Sequence, residues 1–285
     1  MLKSDHSVEQ LCSTLQVSRS GYYRYIKGQS YLLSPTKAAV AQQVKTVFEA
    51  HESRYGWRRI QVELAAQGTQ AGRHQIRRHM REQGLKALQP KSFVPCTTQT
   101  NPMLKRLDNL LLDFTPTAPL QVVVGDITYL PNQEIGYGKW LYLAVWMDLF
   151  SRRLLGWAVD RHMEQSLIIR AFDKFTQQRA DLCGLIVHSD GGGQYQAHDF
   201  KALLHTHQCR QSMTRKDNPY DNAHIESLFS RLKTELLQKG CFYGLADAEQ
   251  RLFEFIEGYY NARRRHSALG YLSPIDFENQ FYLLS

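Results

Sequence analysis

The chain lacks any hydrophobic run long enough to cross a membrane. Among its 285 residues, the longest apolar runs are Leu120–Val124 and Trp140–Met147, whereas a transmembrane helix needs about 20 apolar residues. The N-terminal MLKSDHSVEQ also lacks the apolar centre of a secretory signal peptide. The sequence therefore argues against a membrane protein, and we expect the chain to act in the cytoplasm.

Cysteines are few and widely separated, which argues against two structural classes. The five cysteines show none of the short paired spacings of zinc sites or of small disulfide-rich domains. We therefore expect reduced thiols and no zinc. His205, His207 and Cys209 lie close together, but they fall between a predicted helix and a predicted strand and are interpreted as surface and core residues.

Acidic residues are scarce in the first third of the chain. Residues 1–100 hold 15 Lys and Arg against 6 Asp and Glu, a net charge of +9, whereas residues 101–285 have a net charge of −1. A basic segment joined to a nearly neutral one indicates a module that binds a polyanion, most commonly nucleic acid. The alternative is a basic surface that serves solubility alone.

Residues 1–30 have the pattern of a helix-turn-helix. A first helix is predicted over Ser7–Leu15 and a second one begins after Ser18, a good N-cap residue, and ends near Ile26. The short turn between them, at Gln16 and Val17, matches the length of this motif.

Residues 31–88 form a second predicted helical DNA-binding module. It begins at Ser34-Pro35, an N-cap residue followed by proline at the first helical position. The proline-rich residues 89–118 are predicted to be a linker. Two further helices of the module are predicted at Gly56–Ala66 and Gln70–Gln83, with Gly68 and Gly84 as their C-terminal stops.

The last of these helices carries three arginines on one side. Arg73, Arg77 and Arg81 recur every four residues, on a different face from the apolar Ile76 and Met80. This arrangement suits a helix that contacts DNA phosphates or lies in a major groove. The alternative is an ordinary solvated arginine face.

From Leu120 onward the pattern changes to strands. Val122–Tyr129 is β-branched on both faces, as expected for a central strand that is covered on both sides. The predicted order of three strands, helix, strand, helix, strand, helix is typical of the ribonuclease H-like fold, an α/β fold with a mixed five-stranded sheet. We therefore predict a core over residues 119–240, followed by a C-terminal helix and basic tail over residues 241–285. The other elements are predicted at Trp140–Met147, Leu154–Val159, Met163–Arg179, Leu185–His188, His198–His207, Cys209–Met213, Asp221–Gln238 and Leu245–Tyr260.

Three acidic residues stand out on these elements. Asp126 interrupts the first strand, Asp190 follows a buried strand in HSDGGGQY, and Glu226 lies near the start of a helix, with 35 residues between the last two. Taken singly, they have ordinary structural explanations as a strand end, a turn residue and a first-turn helix acid. Taken together, converging carboxylates repel one another unless a cation lies between them, and all-oxygen sites suit magnesium or manganese. The glycines at 191–193 would let the backbone after Asp190 approach a ligand closely.

Several motifs carry a family resemblance. GDITYL, HSDGGGQY and SMTRKDNPYDNAHIESLFSRLKTE resemble the catalytic signature of bacterial insertion-sequence transposases of the third insertion-sequence family, which are related to retroviral integrases. YNARRRHSALGYLSPIDFE, YGWRRIQVELAAQG and MREQGLKA look like the flanking motifs of the same family, and VSRSGYYRY resembles its N-terminal helix-turn-helix. The resemblance covers nearly the whole chain.

The resemblance implies a DNA transposase with a ribonuclease H-like integrase core. Its catalytic and metal-binding triad would be Asp126, Asp190 and Glu226, with two Mg²⁺ or Mn²⁺ ions that cut and join DNA, and with no zinc. Implied partners are the terminal repeats of the element, target DNA, further copies of the chain on DNA, and a helix-turn-helix protein from an upstream frame, joined to this chain by frameshifting. The implied location is the bacterial nucleoid. The chain departs from the family pattern at Val123, Gly191, Gly193 and Asp217.

A second function class also fits the sequence. A decayed or domesticated transposase would bind DNA through its helical modules without catalysis and could act as a repressor. Loss of one of the three acids would favour this alternative, and all three are present.

Further DNA contacts are predicted near the triad and in the tail. Lys233 lies seven residues after Glu226, about 10.5 Å along nearly the same helix face, and is predicted to contact a neighbouring phosphate; Asn222 shares that face. The alternative is that Lys233 only pairs with Glu226 or Ser230. Arg264 and Arg265 follow a predicted helix, where they could cap its C-terminus or contact the DNA backbone.

Overall fold

The computed structural model describes residues 6–28, 35–90, 107–177, 181–215, 218–237 and 240–284. The chain divides into two compact units, Met1–Ala87 and Leu88–Ser285. Within the described residues, no helix has both the length and the apolar character that crossing a membrane requires.

The first two helices of the N-terminal unit each begin after a serine N-cap, of which the sequence predicted the one at Ser18. Helix α1 covers Val8–Thr14 and α2 covers Arg19–Ile26. The Ser7 hydroxyl accepts a hydrogen bond from the Gln10 amide at 3.2 Å, and the Ser18 hydroxyl accepts one from the Gly21 amide at 3.0 Å. Each cap satisfies a backbone N–H that the helix itself leaves unpaired.

Three longer helices make the core of this unit: α3 (Pro35–Ala50), α4 (Trp57–Ala66) and α5 (Arg73–Glu82). Pro35 opens α3 as predicted, whereas Ser34 lies outside the described residues. Gly68 and Gly84 follow α4 and α5 with left-handed φ angles of +80° and +66°, which supports their assignment as C-terminal stops. The fully buried core side chains include Val44, Ile60, Leu64 and Ile76.

The start of α5 differs from the prediction. The helix begins at Arg73, after Gly72 in an extended conformation, rather than at Gln70. The side-chain amide of Gln61 donates a hydrogen bond to the carbonyl of Ala71 at 3.0 Å, and Ala71 is buried. This contact joins the residue before Gly72 to α4, and α5 starts after the extended Gly72.

The C-terminal unit contains a mixed five-stranded sheet in the order β3-β2-β1-β4-β5. The first three strands pair antiparallel, and β1, β4 and β5 pair in parallel. The predicted number of strands, the hairpin and the central position of β1 are confirmed. The bounds are β1 (Val122–Pro131), β2 (Trp140–Asp148), β3 (Leu154–Asp160), β4 (Ile186–Ser189) and β5 (Arg210–Met213).

Helices and turns connect and flank these strands. The helices are α6 (Gln165–Thr176), α7 (Gly193–Gln196), α8 (His198–Thr206), α9 (Ala223–Leu236), α10 (Leu245–Phe255) and α11 (Pro274–Leu284). A 3₁₀ turn over Pro219–Asn222 precedes α9, and a π-helical segment over Ile256–Asn261 continues α10. Helices α6 and α9 each begin two residues later than predicted, and the predicted ends Arg179 and Gln238 lie outside the described residues.

The sheet packs one face against α6 and α8 through an aromatic core. Trp146 lies at its centre, stacked on Phe200 with a centroid distance of 5.7 Å and edge-on to Phe172 at 5.4 Å. Val123 belongs to the same buried cluster. On β1, a Cβ at Gly125 would lie 2.2 Å from Cζ3 of Trp146, so only glycine leaves room for the indole ring.

Part of the predicted linker is attached to the second unit. The Leu110 amide donates to the Ser212 hydroxyl at 2.9 Å, and the Met213 amide donates to the Asp108 carbonyl at 3.3 Å. The Asn109 side chain donates to Asp221 at 2.8 Å. These bonds fix residues 108–110 against β5, whereas residues 91–106 lie outside the described part of the chain.

Candidate active site

The two aspartates occupy equivalent positions of neighbouring parallel strands, Asp126 within β1 and Asp190 just after β4. In the β1–β4 ladder, Gly125 pairs with Ser189. Asp126 follows Gly125 within β1, and Asp190 directly follows the last residue of β4. Because equivalent positions of parallel strands point to the same face of a sheet, the fold brings these two side chains to one level.

The surroundings of Asp126 disfavour its charged form. Its Oδ1 accepts a hydrogen bond from the Ile127 amide at 2.7 Å. Burial raises the pKa of Asp126 to about 8, with a further contribution from the negative charge of Asp190 and a smaller one from Glu226. A positive charge bound beside it would relieve both effects.

The loop after β4 folds back onto Asp190. The Gly192 amide donates to Oδ1 of Asp190 at 2.9 Å, and a Cβ at Gly192 would lie 2.9 Å from the same oxygen. Glycine was predicted to allow close approach of the backbone to a ligand. In this structure the approach at Gly192 is to the Asp190 carboxylate itself.

Helix α9 contributes the third acid and a lysine. Its predicted core residues, including Ile225 and Leu232, are buried, whereas Glu226 is exposed on the first turn. The charges of Glu226 and Lys233 both act on Asp126, in opposite directions. Burial lowers the pKa of Lys233, and the negative charge of Asp126 opposes that shift. Both α9 side chains therefore lie within electrostatic reach of β1.

The three carboxylates are suitable ligands for a hard cation, although their side chains do not converge on one position. Among the described residues, no group of three or more His, Cys, Asp or Glu side chains is arranged to hold a metal ion. Asp126, Asp190 and Glu226 nevertheless offer only carboxylate oxygens, which is the ligand chemistry of Mg²⁺ and Mn²⁺.

The sequence did not single out Tyr195, a buried residue five positions after Asp190. Its side chain is 2% exposed, and the charges of Asp126 and Asp190 add to burial in raising the pKa of its hydroxyl. Tyr195 belongs to the HSDGGGQY motif, but its direction depends on the short helix α7, which the sequence pattern did not predict.

His188 and Ser189, which precede Asp190, form hydrogen bonds with other groups and not with each other. Nδ1 of His188 is 2.8 Å from the hydroxyl of Ser212, a residue of β5. The Ser189 hydroxyl donates to the backbone carbonyl of Asp190 at 3.1 Å. These contacts are consistent with structural roles for His188 and Ser189.

Two predicted DNA contacts occupy interior positions. Asn222 is 7% exposed, because the 3₁₀ turn that precedes α9 folds it inward. Arg264 is 3% exposed, and its guanidinium donates to both carboxylate oxygens of Glu235, at 2.6 and 2.8 Å. Burial favours structural roles for both side chains, and their contact with DNA stays a prediction. Arg265 is half-buried and donates to the Tyr271 carbonyl at 3.2 Å, and its contact with DNA stays a prediction.

The buried Arg264–Glu235 pair links the C-terminal segment to α9. Replacing Arg264 with Leu should lower the free energy of unfolding by about 3–5 kcal/mol, because it leaves the Glu235 carboxylate buried without its cation. Chemical denaturation of the full chain measures this loss. Arg263→Leu, on the exposed neighbour, should cost about 0.5 kcal/mol or less; equal losses in the two variants would contradict a structural role specific to Arg264.

The α5 arginines lie on the surface as predicted. Arg73, Arg77 and Arg81 are exposed, while Ile76 and Met80 are buried. Two of these arginines, Arg77 and Arg81, line a cleft of about 390 Å³ together with His74 and Arg78. The helix therefore presents a concentrated positive surface rather than scattered charges.

Comparison with known proteins agrees with this architecture. Two models described as integrase core domains match residues 116–219 and 207–274, and a model described as an HTH-like domain matches residues 36–93. The fold and these matches define an integrase-core protein with a preceding helix-turn-helix-like domain. That domain corresponds to the second predicted helical module, and α1 and α2 lie outside the match.

The similarity to curated proteins extends over almost the entire chain. The chain is 35% identical over 282 residues to the transposase InsF for insertion sequence IS3A of Escherichia coli (strain K12). The aligned region covers 98% of this chain and 96% of that protein. The chain is also 35% identical over 276 residues to a 31 kDa protein of insertion element IS600 of Shigella sonnei, covering 96% and 100% of the two chains. The chain belongs to the insertion-sequence transposase family that includes InsF of IS3. Among solved structures, it is similar to the HTLV-2 integrase catalytic core domain in complex with magnesium, with a TM-score of 0.42 and 15% identity over 57% of this chain and 99% of that one.

Proposed function

We propose that this chain is a DNA transposase that cuts and joins DNA strands at the ends of an insertion sequence. The observation that carries the proposal is the placement of Asp126 and Asp190 at one level of two parallel strands, with the charge of Glu226 acting on the same site. We assign these three carboxylates as the catalytic and metal-binding residues. Membership of the transposase family supports the reaction class.

The chain's own residues prepare the site for divalent cations. The Ile127 amide donates a hydrogen bond to Asp126, and the Gly192 amide donates one to Asp190. These two bonds orient the carboxylates. Two Mg²⁺ or Mn²⁺ ions bound there would activate a water or a 3′-hydroxyl and would stabilise the leaving oxygen. Glu226 would join them from α9, so the proposed site would combine a strand, a strand end and a helix.

The partners that we propose are the terminal repeats of the element, target DNA and further copies of the chain on that DNA. The exposed arginines Arg73, Arg77 and Arg81 of α5 would contact phosphates. The chain would act jointly with a helix-turn-helix protein from an upstream frame, as a frameshifted fusion.

A strand-transfer assay tests the proposed function. The full chain is incubated with labelled DNA ends that flank its coding frame, a target duplex, and Mg²⁺ or Mn²⁺. We expect joined products that disappear when the metal is chelated. Tight binding of the ends without cleavage or joining under any metal condition would instead support the non-catalytic DNA-binding alternative.

Lys233 is proposed to contact a DNA phosphate beside the active site. It is half-buried on α9, and the negative charge of Asp126 acts on its pKa, so a DNA phosphate bound at the candidate site would come near its ammonium group. Lys233→Ala should weaken binding of the element ends and reduce the slope of log K against log salt by about one unit. Binding titrations at several salt concentrations measure both quantities.

Arg231 offers a matched control for Lys233. It lies on the same helix, is exposed and carries the same charge. Arg231→Ala should change end binding less than Lys233→Ala does. Identical effects of the two variants, or an unchanged affinity and salt slope in Lys233→Ala, would mean that Lys233 has no specific phosphate contact.

A further inference from the structure

One carboxylate just before α9 joins three segments of the C-terminal unit. Oδ2 of Asp221 accepts hydrogen bonds from the Arg215 amide at 2.8 Å and from Nε of Arg215 at 3.1 Å, and Oδ1 accepts one from Nη2 of the same arginine at 2.9 Å. The side-chain amide of Asn109 donates to Oδ2 at 2.8 Å. The Asp221 side chain is only 6% exposed, so water competes little for these bonds.

The Asp221 carboxylate and the Arg215 guanidinium form a bidentate ion pair. The hydrogen bonds from Arg215 lower the pKa of Asp221 to about 2, so the carboxylate is charged at neutral pH. Charge-assisted hydrogen bonds are stronger than those between neutral groups, and a bidentate pair also restricts direction. The pair therefore fixes the two chain segments to each other in both distance and orientation.

These bonds connect the start of α9 to the strand ends beside Asp190. Arg215 lies two residues after the end of β5. The residue before it, Thr214, donates its amide to the backbone carbonyl of the residue before Asp190 at 3.0 Å. Glu226 lies five residues after Asp221, on the first turn of α9. Asp221 thus links the segment that carries Glu226 to the strand end that carries Asp190.

We propose that Asp221 is a positioning residue for Glu226: by holding Arg215, its carboxylate fixes the first turn of α9 relative to the end of β4, so that Glu226 can reach a cation held by the two aspartates. This inference rests on the proposed function, because it requires the three carboxylates to bind the same cation. Asp221 acts without touching the cation, since its oxygens accept hydrogen bonds from Arg215 and Asn109. Removing groups that orient metal ligands typically lowers metal affinity by about 10–100-fold.

The variant Asp221→Asn keeps the size of the side chain and removes the charge that pairs with Arg215. Mn²⁺ binding to the full chain is measured by the electron paramagnetic resonance signal of free Mn²⁺. We expect the dissociation constant to rise about tenfold. Without metal, amide hydrogen exchange in a peptide that covers residues 223–229 should become about tenfold faster, because the start of α9 is held less firmly.

A double variant shows whether Asp221 acts through Glu226. Glu226→Gln removes the ligand that Asp221 is proposed to position. In that background, Asp221→Asn should cause no further loss of Mn²⁺ affinity. Two independent tenfold losses would instead combine to about 100-fold, and this result would overturn the positioning role.

Asp247→Asn is the matched control. Asp247 lies on the first turn of α10, accepts a hydrogen bond from the Tyr243 amide at 3.0 Å and pairs with Arg251 at 3.4 Å. The variant therefore weakens a comparable ion pair at the start of another helix. It should leave the Mn²⁺ affinity unchanged.

Asn109→Ala is a milder variant that retains the ion pair. It removes the bond from the Asn109 side chain to Asp221, while Arg215 still holds the carboxylate. We expect the dissociation constant for Mn²⁺ to rise by a smaller factor than in Asp221→Asn. This variant keeps the inference testable if Asp221→Asn does not fold, and an unchanged affinity and unchanged exchange in Asn109→Ala would then overturn it.

The outcomes separate the inference from the proposed function. If wild-type protein binds Mn²⁺ and Asp221→Asn binds it equally well, the role of Asp221 is overturned while the metal site stands. An equal loss of affinity in Asp247→Asn also overturns it, because the effect would then be a general consequence of weakening a helix start. If wild-type protein binds no Mn²⁺, the metal site fails and the inference fails with it.

Discussion

Asp126→Asn, Asp190→Asn and Glu226→Gln should each reduce DNA cleavage and joining by about 10³-fold or more, while DNA binding is retained. Each change removes one carboxylate charge from a site that depends on it to hold divalent cations, and a loss of about 4 kcal/mol of transition-state stabilisation corresponds to this factor. The side chains keep their size, and burial of Asp126 already opposes its charged form, so the fold should persist. Strand-transfer products and gel-shift affinities measure the two effects separately.

Glu249→Gln is a control for the loss of one carboxylate. Glu249 lies exposed on α10, and its replacement by Gln should leave strand transfer near the wild-type level. Near-normal activity of any one of the three site variants, with metal present, would remove that residue from the catalytic set.

The N-terminal part of the chain should bind DNA with a steep dependence on salt. A fragment of residues 1–100 carries a net charge of +9. If about six phosphates are neutralised, its affinity should fall about 10³-fold between 50 and 200 mM salt. A fragment of residues 101–285 should bind the same DNA weakly. Fluorescence anisotropy titrations across this salt range measure both fragments.

The fragment boundary follows from the structure. Residues 108–110 form hydrogen bonds with β5 and with Asp221, so the second fragment has to include them. The first compact unit ends at Ala87, so the first fragment contains the whole of its helical core. Equal affinities of the two fragments, or a flat salt response of the first one, would contradict a basic recognition module in residues 1–100.

The fold was largely predictable because its signals are local. Continuous β-branched residues over Val122–Tyr129 predicted the central strand, and the sheet order confirms it. The N-cap residue Ser18 predicted the start of α2, and the structure confirms it. In each case the residues that determine the element lie within it or next to it.

The features that the sequence did not reveal involve contacts between distant residues. Arg264 occurs in the run Arg263–Arg264–Arg265, which resembles a DNA-contacting segment, but its partner Glu235 lies 29 residues away and makes it an interior residue. Ala71, just before α5, accepts a hydrogen bond from the side chain of Gln61, ten residues earlier. Charge and periodicity do not reveal such long-range contacts.

In the candidate site, too, the sequence identified some residues and missed others. The sequence identified Asp126, Asp190 and Glu226 from their positions on predicted elements, and their joint role in metal binding stays a prediction. Tyr195 was not identified, because its burial depends on α7 and on packing against Trp146. Asp217, one of the departures from the family pattern, lies outside the described residues.

A crystal structure of the full chain soaked with Mn²⁺, with anomalous diffraction data, tests the central claim most directly. We expect an anomalous peak between Asp126 and Asp190, with carboxylate oxygens about 2.1 Å from the ion, as for octahedral Mg²⁺-type sites, and with Glu226 turned toward it. A metal peak at another site, or no peak near Asp126 at saturating Mn²⁺, would contradict the assignment of these carboxylates as the metal-binding residues.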